Sequence, residues 1–151
     1  MAENKKYELL ENDTVKSWDG RTLKRIRALT AIAAIGVQAG DLGGYVETEK
    51  NLQVPGDAWV SGDARVYGDA QVSLSIHIGW FSHVGSEHGT LTWYRGKTGI
   101  LVNRGCFSGT LEEFDAAVTK THGDNQYGRE YRSLIEFIRL RSADFSYEDM
   151  A

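Results

Sequence analysis

Val54-Pro55-Gly56-Asp57-Ala58-Trp59, Val60-Ser61-Gly62-Asp63-Ala64-Arg65 and Val66-Tyr67-Gly68-Asp69-Ala70-Gln71 follow one another without a gap. A degenerate fourth copy, Val72-Ser73-Leu74-Ser75-Ile76-His77, runs on to Ile78. Val54, Val60, Val66, Val72 and Ile78 therefore keep a strict six-residue period, and Gly, Asp and Ala keep it through the first three copies. A hexad period reads as a β-helix in which each copy supplies one short strand and one corner. Valine points inward and fills the interior, so Val54, Val60, Val66, Val72 and Ile78 are the predicted solenoid core. Alanine is the second inward position, small because the interior is narrow. Gly-Asp takes the corner, where a positive φ costs glycine nothing and aspartate little. Three hexads complete one left-handed coil, so this chain has material for about one and a half coils. So short an array needs caps at its ends. The flanking segments are expected to supply them, and chains are expected to associate.

The rest of the composition suits one compact unit. The chain has 151 residues, 41% hydrophobic and 25% charged. Of its 17 glycines, 14 fall between Gly36 and Gly109, with a single proline in the whole chain. Collagen, which needs glycine at every third position, is excluded. No stretch approaches the roughly 18 apolar residues of a membrane span, and no apolar segment follows Met1-Ala2-Glu3-Asn4-Lys5-Lys6 to make a secretory signal. The lone Cys106 excludes an internal disulfide and suits a reducing compartment. The net charge of −4 lacks the basic excess of a dedicated DNA binder, so no direct DNA binding is expected.

The flanks read as caps. Trp18-Asp19-Gly20-Arg21 is a hairpin signal. The following run, Arg21 to Leu29, carries four basic side chains that read as a solvated strand face. Gly40-Asp41-Leu42-Gly43-Gly44-Tyr45-Val46 is a tight turn leading to the repeat, without the spacing of a dinucleotide-binding loop. Beyond the repeat, Thr90–Tyr94 and Ile100–Val102 make a second hairpin around Lys97-Thr98-Gly99. Gly105 to Gly109 reads as a loop. Thr110 and Glu113 form a capping box for a helix with Leu111, Phe114, Ala117 and Val118 on one face. Gly123 ends it, and a second helix spans about Gln126 to Arg141. From Ser142 the chain reads as a frayed or partner-docked tail. The predicted fold class is α+β. Residues 1–50 are an N-terminal β-hairpin cap, 51–79 a short hexapeptide β-solenoid, and 80–151 a β-hairpin with two α-helices.

These residues suggest several chemistries. Asp57, Asp63 and Asp69 tempt a calcium reading, but successive hexads lie on different faces of a coil. Hexapeptide solenoids also carry acyltransferases with a histidine base, and His77 ends the fourth hexad; the array is too short for the usual cofactor groove. His83 and His88 lack a third zinc ligand at recognisable spacing. Cys106 and His122 flank the first helix, which as a continuous helix sets them more than about 20 Å apart in axial rise. No catalytic residues, metal or cofactor are expected. The better candidate is a binding surface. Trp80, Phe81, His83, His88, Trp93, Tyr94, Arg95, Lys97 and Arg104 concentrate aromatic and cationic groups suited to bases, phosphates or a protein hot spot, although most of these aromatics read equally well as hairpin core.

Tyr7-Glu8-Leu9, the run from Gly20 to Leu29 and Gly40-Asp41-Leu42-Gly43-Gly44-Tyr45-Val46-Glu47 resemble the N-terminal cap of phage and prophage proteins with V-x-G-D-A-x arrays. The stretch Gly105-Cys106-Phe107-Ser108-Gly109-Thr110-Leu111-Glu112-Glu113-Phe114, with Thr121-His122-Gly123-Asp124-Asn125 and Gly128-Arg129-Glu130-Tyr131-Arg132, is similar to their C-terminal module. Members of that family often carry many more repeats than the three here, so a long fibre shaft is not implied. The resemblance brings no catalytic residues onto this chain. It implies a phage or prophage origin and a homo-oligomer, with a trimer favoured. The expected role is a non-enzymatic inhibitor or sponge acting in the host cytoplasm on a defence system, a CRISPR effector or nucleotide signalling. Its partner is then a host protein or a small nucleotide. The alternative is a virion or tail-fibre trimerisation module.

Overall fold

A computed structural model describes residues 4–147; Met1–Glu3 and the last four residues, the end of the expected tail, lie outside it. The fold is α+β, with two four-stranded sheets and two helices. Strands β1 (Tyr7–Lys16) and β2 (Thr22–Ala28) pair antiparallel around the predicted Trp18-Asp19-Gly20 turn, where Gly20 has φ +90°. β2 pairs antiparallel with β3 (Leu42–Val46). β3 in turn pairs in parallel with β4 (Arg65–Val66), which is the only strand assigned within the repeat. The basic residues of β2 each meet a carboxylate: Lys24 with Glu11, Arg25 with Asp13, Arg27 with Glu8. Such exposed pairs contribute about 0–1 kcal/mol apiece and leave a solvated face.

The repeat residues stack by parallel pairing. Tyr45 pairs with Arg65, Val46 with Val66 and Leu52 with Val72. Val46, Leu52 and Ala58 are fully buried and keep a six-residue spacing; so do Val60, Val66 and Val72, with Ile78 nearly so. The two series are offset by two residues, between Ala58 and Val60. This corrects the predicted core at one end: Val54 is only half-buried, and Leu52 fills the place assigned to it. The other predicted core residues are interior. Ala58, Ala64 and Ala70 are buried as expected, and the corner glycines Gly56, Gly62 and Gly68 have positive φ. Among the described residues the repeat forms no closed solenoid in the strand assignment; it consists of β4, short bridges and turns.

Both ends of this stack are covered from within the chain. Tyr7, Ile26 and Ala28 of the first sheet pack into the same core as Val46, Leu52 and Val66. On the opposite side Tyr94, with Leu101 against it, closes the core. Lys6, buried, donates from Nζ to the carbonyls of Gln53 (3.0 Å) and Gly56 (3.2 Å), and the Tyr7 hydroxyl donates to Leu52 O. These bonds fasten the start of β1 to the beginning of the repeat.

The second sheet is an antiparallel meander of β5 (Ile78–Val84), β6 (Gly89–Arg95), β7 (Ile100–Arg104) and β8 (Phe107–Thr110). The predicted hairpin is β6–β7. The degenerate fourth hexad leads into β5, and the segment expected to be a loop, Gly105–Gly109, contributes most of β8. Helix α1 (Leu111–His122) opens on the predicted capping box, with Thr110 Oγ1 accepting from Glu113 N–H at 3.1 Å. Gly123 closes it, and α2 (Gln126–Ser142) follows from an Asn125 cap. Leu111, Phe114 and Val118 of α1 with Tyr131, Ile135 and Ile138 of α2 bury Leu91, Trp93 and Val102 of the sheet. The start of the expected frayed tail is docked on its own chain. Phe145 meets the His77 ring edge-on at 5.1 Å, and Tyr147 packs on the helical core.

Candidate functional site

Strand β6 decides which predicted site residues reach the surface. The helices cover one of its faces and the repeat covers the other. Trp93 therefore lies in the helical core (1% exposed) and Tyr94 in the repeat core (2%). Neither belongs to a binding surface, because a strand buried on both faces presents no side chain outward. Trp80 is half-buried against the repeat core. Arg95 is turned to the chain itself, donating to Gln71 O at 2.9 Å and Ser146 O at 3.4 Å. Lys97 is exposed in the β6–β7 turn, and His83 is exposed at the β5 bulge with φ +60°. His88, at φ +53°, and Arg104 line different cavities. The predicted cluster is thus dispersed.

The structure assembles another site, a cleft of about 340 Å³ between the two sheets. One wall comes from the β1–β2 turn and the repeat, through Trp18, Asp63, Arg65 and Tyr67; the other from the second sheet, through His88, Thr90 and Asn103. A smaller cavity of about 180 Å³, also lined by Tyr67, holds Arg21, Asp69 and Ser108.

The turn that carries Trp18 is rigid for local reasons. Buried Ser17 donates its backbone N–H to Arg21 O at 2.9 Å and accepts Gly20 N–H at 3.0 Å. Its hydroxyl accepts Arg21 N–H at 2.9 Å and donates to Asp19. Trp18 remains 53% exposed, with its indole Nε1 donating to Ser108 Oγ of β8 at 3.1 Å across the two sheets. Arg21 pairs with Asp19 (3.1 Å) and Glu47 (3.0 Å), its guanidinium 5.8 Å from the Tyr67 ring centre. Its cation is thereby largely neutralised. The hydrogen bonds holding Asp19 push its carboxyl below the ordinary range, with the Ser17 hydroxyl foremost. Burial raises the Tyr67 phenol.

The floor is a polar seam. Thr92 Oγ1 accepts Arg65 N–H at 3.2 Å, and Asn103 Nδ2 donates to Arg65 O at 2.7 Å. Asn103 also donates to the Tyr94 hydroxyl at 3.3 Å, which donates onward to Tyr67 O at 3.4 Å. Both backbone groups of Arg65 are thus used by the second sheet. Among the described residues its side chain makes one long contact, from Nη1 to Lys16 O at 3.5 Å, leaving the guanidinium in the cleft with His88 and Trp18. The site residues missed in the sequence are Trp18, Arg65, Tyr67, Thr92 and Asn103. The one local signal was a tryptophan at a turn tip, a position with no core to fill.

The residues of the other candidate chemistries take definite positions. His77 is buried, and its Nδ1 accepts the backbone N–H of Leu74 (3.1 Å) and of Ser73 (3.3 Å). Its pKa is lowered to about 4, by burial first and by Arg95 second, against a raising effect of Asp57. Asp57 accepts the backbone N–H of Ser75, 18 residues further along the chain, at 2.9 Å. Cys106 and His122 line one and the same cavity, which corrects the expected separation. β8 runs away from Cys106 and α1 runs back along it, so the two ends meet. Among the described residues, no three His, Cys, Asp or Glu side chains group to hold a metal, and no helix is long and apolar enough to cross a membrane. No protein-family model matches the chain, and no curated protein or solved structure matches it.

Proposed function

We propose that this chain is a phage- or prophage-encoded, non-enzymatic binding protein that grips a host partner in the cleft between its sheets. Trp18 carries the reading. It is a large aromatic held half-exposed on a rigid turn, pinned across the cleft by Ser108, with Arg65 and His88 beside it. Tryptophan, tyrosine and arginine dominate protein hot spots, and aromatic faces with nearby cations also take nucleotide bases and phosphates. The role is an inhibitor or sponge of host defence, directed at a CRISPR effector or a nucleotide signal, in the host cytoplasm. The phage-cap resemblance supports the origin. The net charge of −4 favours a protein or small nucleotide over DNA.

The architecture behind that site is about one and a half coils of hexapeptide β-solenoid. The parallel pairings of Val46 with Val66 and of Leu52 with Val72 support it. A homotrimer completes the proposal. Since both ends of the stack are covered within the chain, its contacts are lateral, through exposed Ile35, Leu74 and Ile76. The solenoid also favours a second reading, a virion or tail-fibre trimerisation module.

The test is affinity capture from host lysate with the tagged chain and with a Trp18→Ala, Arg65→Ala double variant, followed by mass spectrometry of proteins and extracted nucleotides. A stoichiometric defence protein or nucleotide on the parent chain, lost from the variant, is the expected result. Recovery of the chain only in purified virions overturns it in favour of the second reading.

A further inference from the structure

The cavity that joins Cys106 to His122 is separate from the cleft and has a different chemistry. Its volume is about 230 Å³, and Phe107, Phe114 and Val118 form apolar walls. The aromatic rings are set against one another: Phe107 to Phe114 at 5.3 Å, Phe114 to Tyr131 edge-on at 5.4 Å, and His122 stacked on Tyr131 at 5.9 Å. Into this surround comes one cation, Arg104, whose side chain is only 13% exposed. Nη1 faces Glu87 at 3.3 Å, Nη2 reaches Val84 O at 3.4 Å, and the Tyr131 hydroxyl is bonded to the same guanidinium. Nε is buried and without a hydrogen-bond partner among the described residues.

A buried guanidinium is costly unless an anion meets it. The carboxylate now present is a poor one, because Glu87 is 80% exposed and its pairing is diluted by water. Guanidinium presents its donors as a planar fork that fits a carboxylate. The aromatic walls require that the rest of the ligand be flat and apolar. The volume is below the roughly 300–1,000 Å³ of drug-sized sites, which limits the occupant to about one ring and a short acid arm.

We propose that this pocket binds a small aromatic carboxylate, its ring against Phe107, Phe114 and Val118 and its acid group on Arg104 in place of Glu87. Cys106, exposed at the rim and the only cysteine of the sequence, is a built-in reporter of occupancy.

The probe is 3-phenylpropionate, with neutral 3-phenylpropanol beside it. Its binding to the full chain is read by amide chemical shifts and by the rate at which Cys106 reacts with an aromatic disulfide reagent. Saturable shifts around Phe107, Ala117 and His122 are expected, with slowed Cys106 reaction. The alcohol should bind at least about tenfold more weakly, the loss of one charge-assisted hydrogen bond. Glu87→Gln, which removes the competing carboxylate, should tighten binding. Ala117→Phe, which fills the cavity from α1 and spares Arg104, should abolish it, with folding checked by circular dichroism. Arg104→Gln should abolish it too; if that variant does not fold, the alcohol and Ala117→Phe decide. Equal binding of acid and alcohol, undiminished binding to Ala117→Phe, or no saturable effect of the acid overturns the proposal.

Discussion

Asn103 acts at residue scale as one of the ties between the two sheets, beside Thr92 and the Ala70–Gly96 bridge. Its amide, itself buried, donates to Arg65 O and to the buried Tyr94 hydroxyl. Removing it strands a buried carbonyl and opens a hole, so Asn103→Ala should cost about 1–3 kcal/mol. Exposed Ser82→Ala should stay within about 0.5 kcal/mol. Urea melts of the two variants check this, and equal midpoints would remove the seam from the account. His77 makes a second prediction, about pH. Its folded pKa is near 4, below its ordinary 6.5. Between those values the unfolded chain takes up a proton that the folded chain refuses, since burial first and Arg95 second disfavour the charged ring. Stability is therefore fully present above about pH 6.5, falls as pH drops toward 4, and gains no further loss from this group below that. Urea midpoints at pH 7 and pH 4.5 should differ more for the parent chain than for His77→Gln. The same drop in both would show that other groups drive it.

At the scale of elements, the repeat register is the sharpest claim. Leu52 is fully buried beside Val72, whereas Val54 is half-buried. Leu52→Ala should cost about 2–5 kcal/mol, as truncations in a packed core do. Val54→Ala should cost clearly less. The reverse order, measured by thermal or urea unfolding, would restore the simple period. That period was legible because it repeats in the chain. The offset between Ala58 and Val60 was not, since it shows only when each residue is set against a parallel neighbour many positions away. Helix α1 was legible for the opposite reason: Thr110 and Glu113 are three residues apart and cap each other without outside help. Thr110→Ala should accordingly cost about 1 kcal/mol. β8 escaped notice because Gly105 to Gly109 has turn composition and becomes a strand only by pairing with β7. The same gap hid the cleft. Arg65 and Asn103 become neighbours through the packing of one sheet on another, and Trp93 and Tyr94 look like surface aromatics until both faces of β6 are known to be covered.

For the whole molecule, the question is what a second copy would cover. A short stack with bare ends would have to associate end to end, but here the first sheet and Tyr94 cover those ends. Apolar surface is exposed elsewhere, most of all at Leu140, and part of it lies beside the repeat. Ile35, Leu74 and Ile76 are 39%, 45% and 46% exposed. A groove of about 260 Å³ runs beside them, lined by Ile35, Trp59, Ser75 and Trp80. Side-by-side association through this surface would leave the cleft with Trp18 open in every copy, as a multivalent binder requires. Light scattering at micromolar concentration should give three times the 16.8 kDa of one chain. Ile76→Glu, exposed and outside both buried cores, should shift that mass to one chain while circular dichroism stays unchanged. A parent chain that is already monomeric would remove the trimer, yet leave the stack intact, because its caps belong to the same polypeptide.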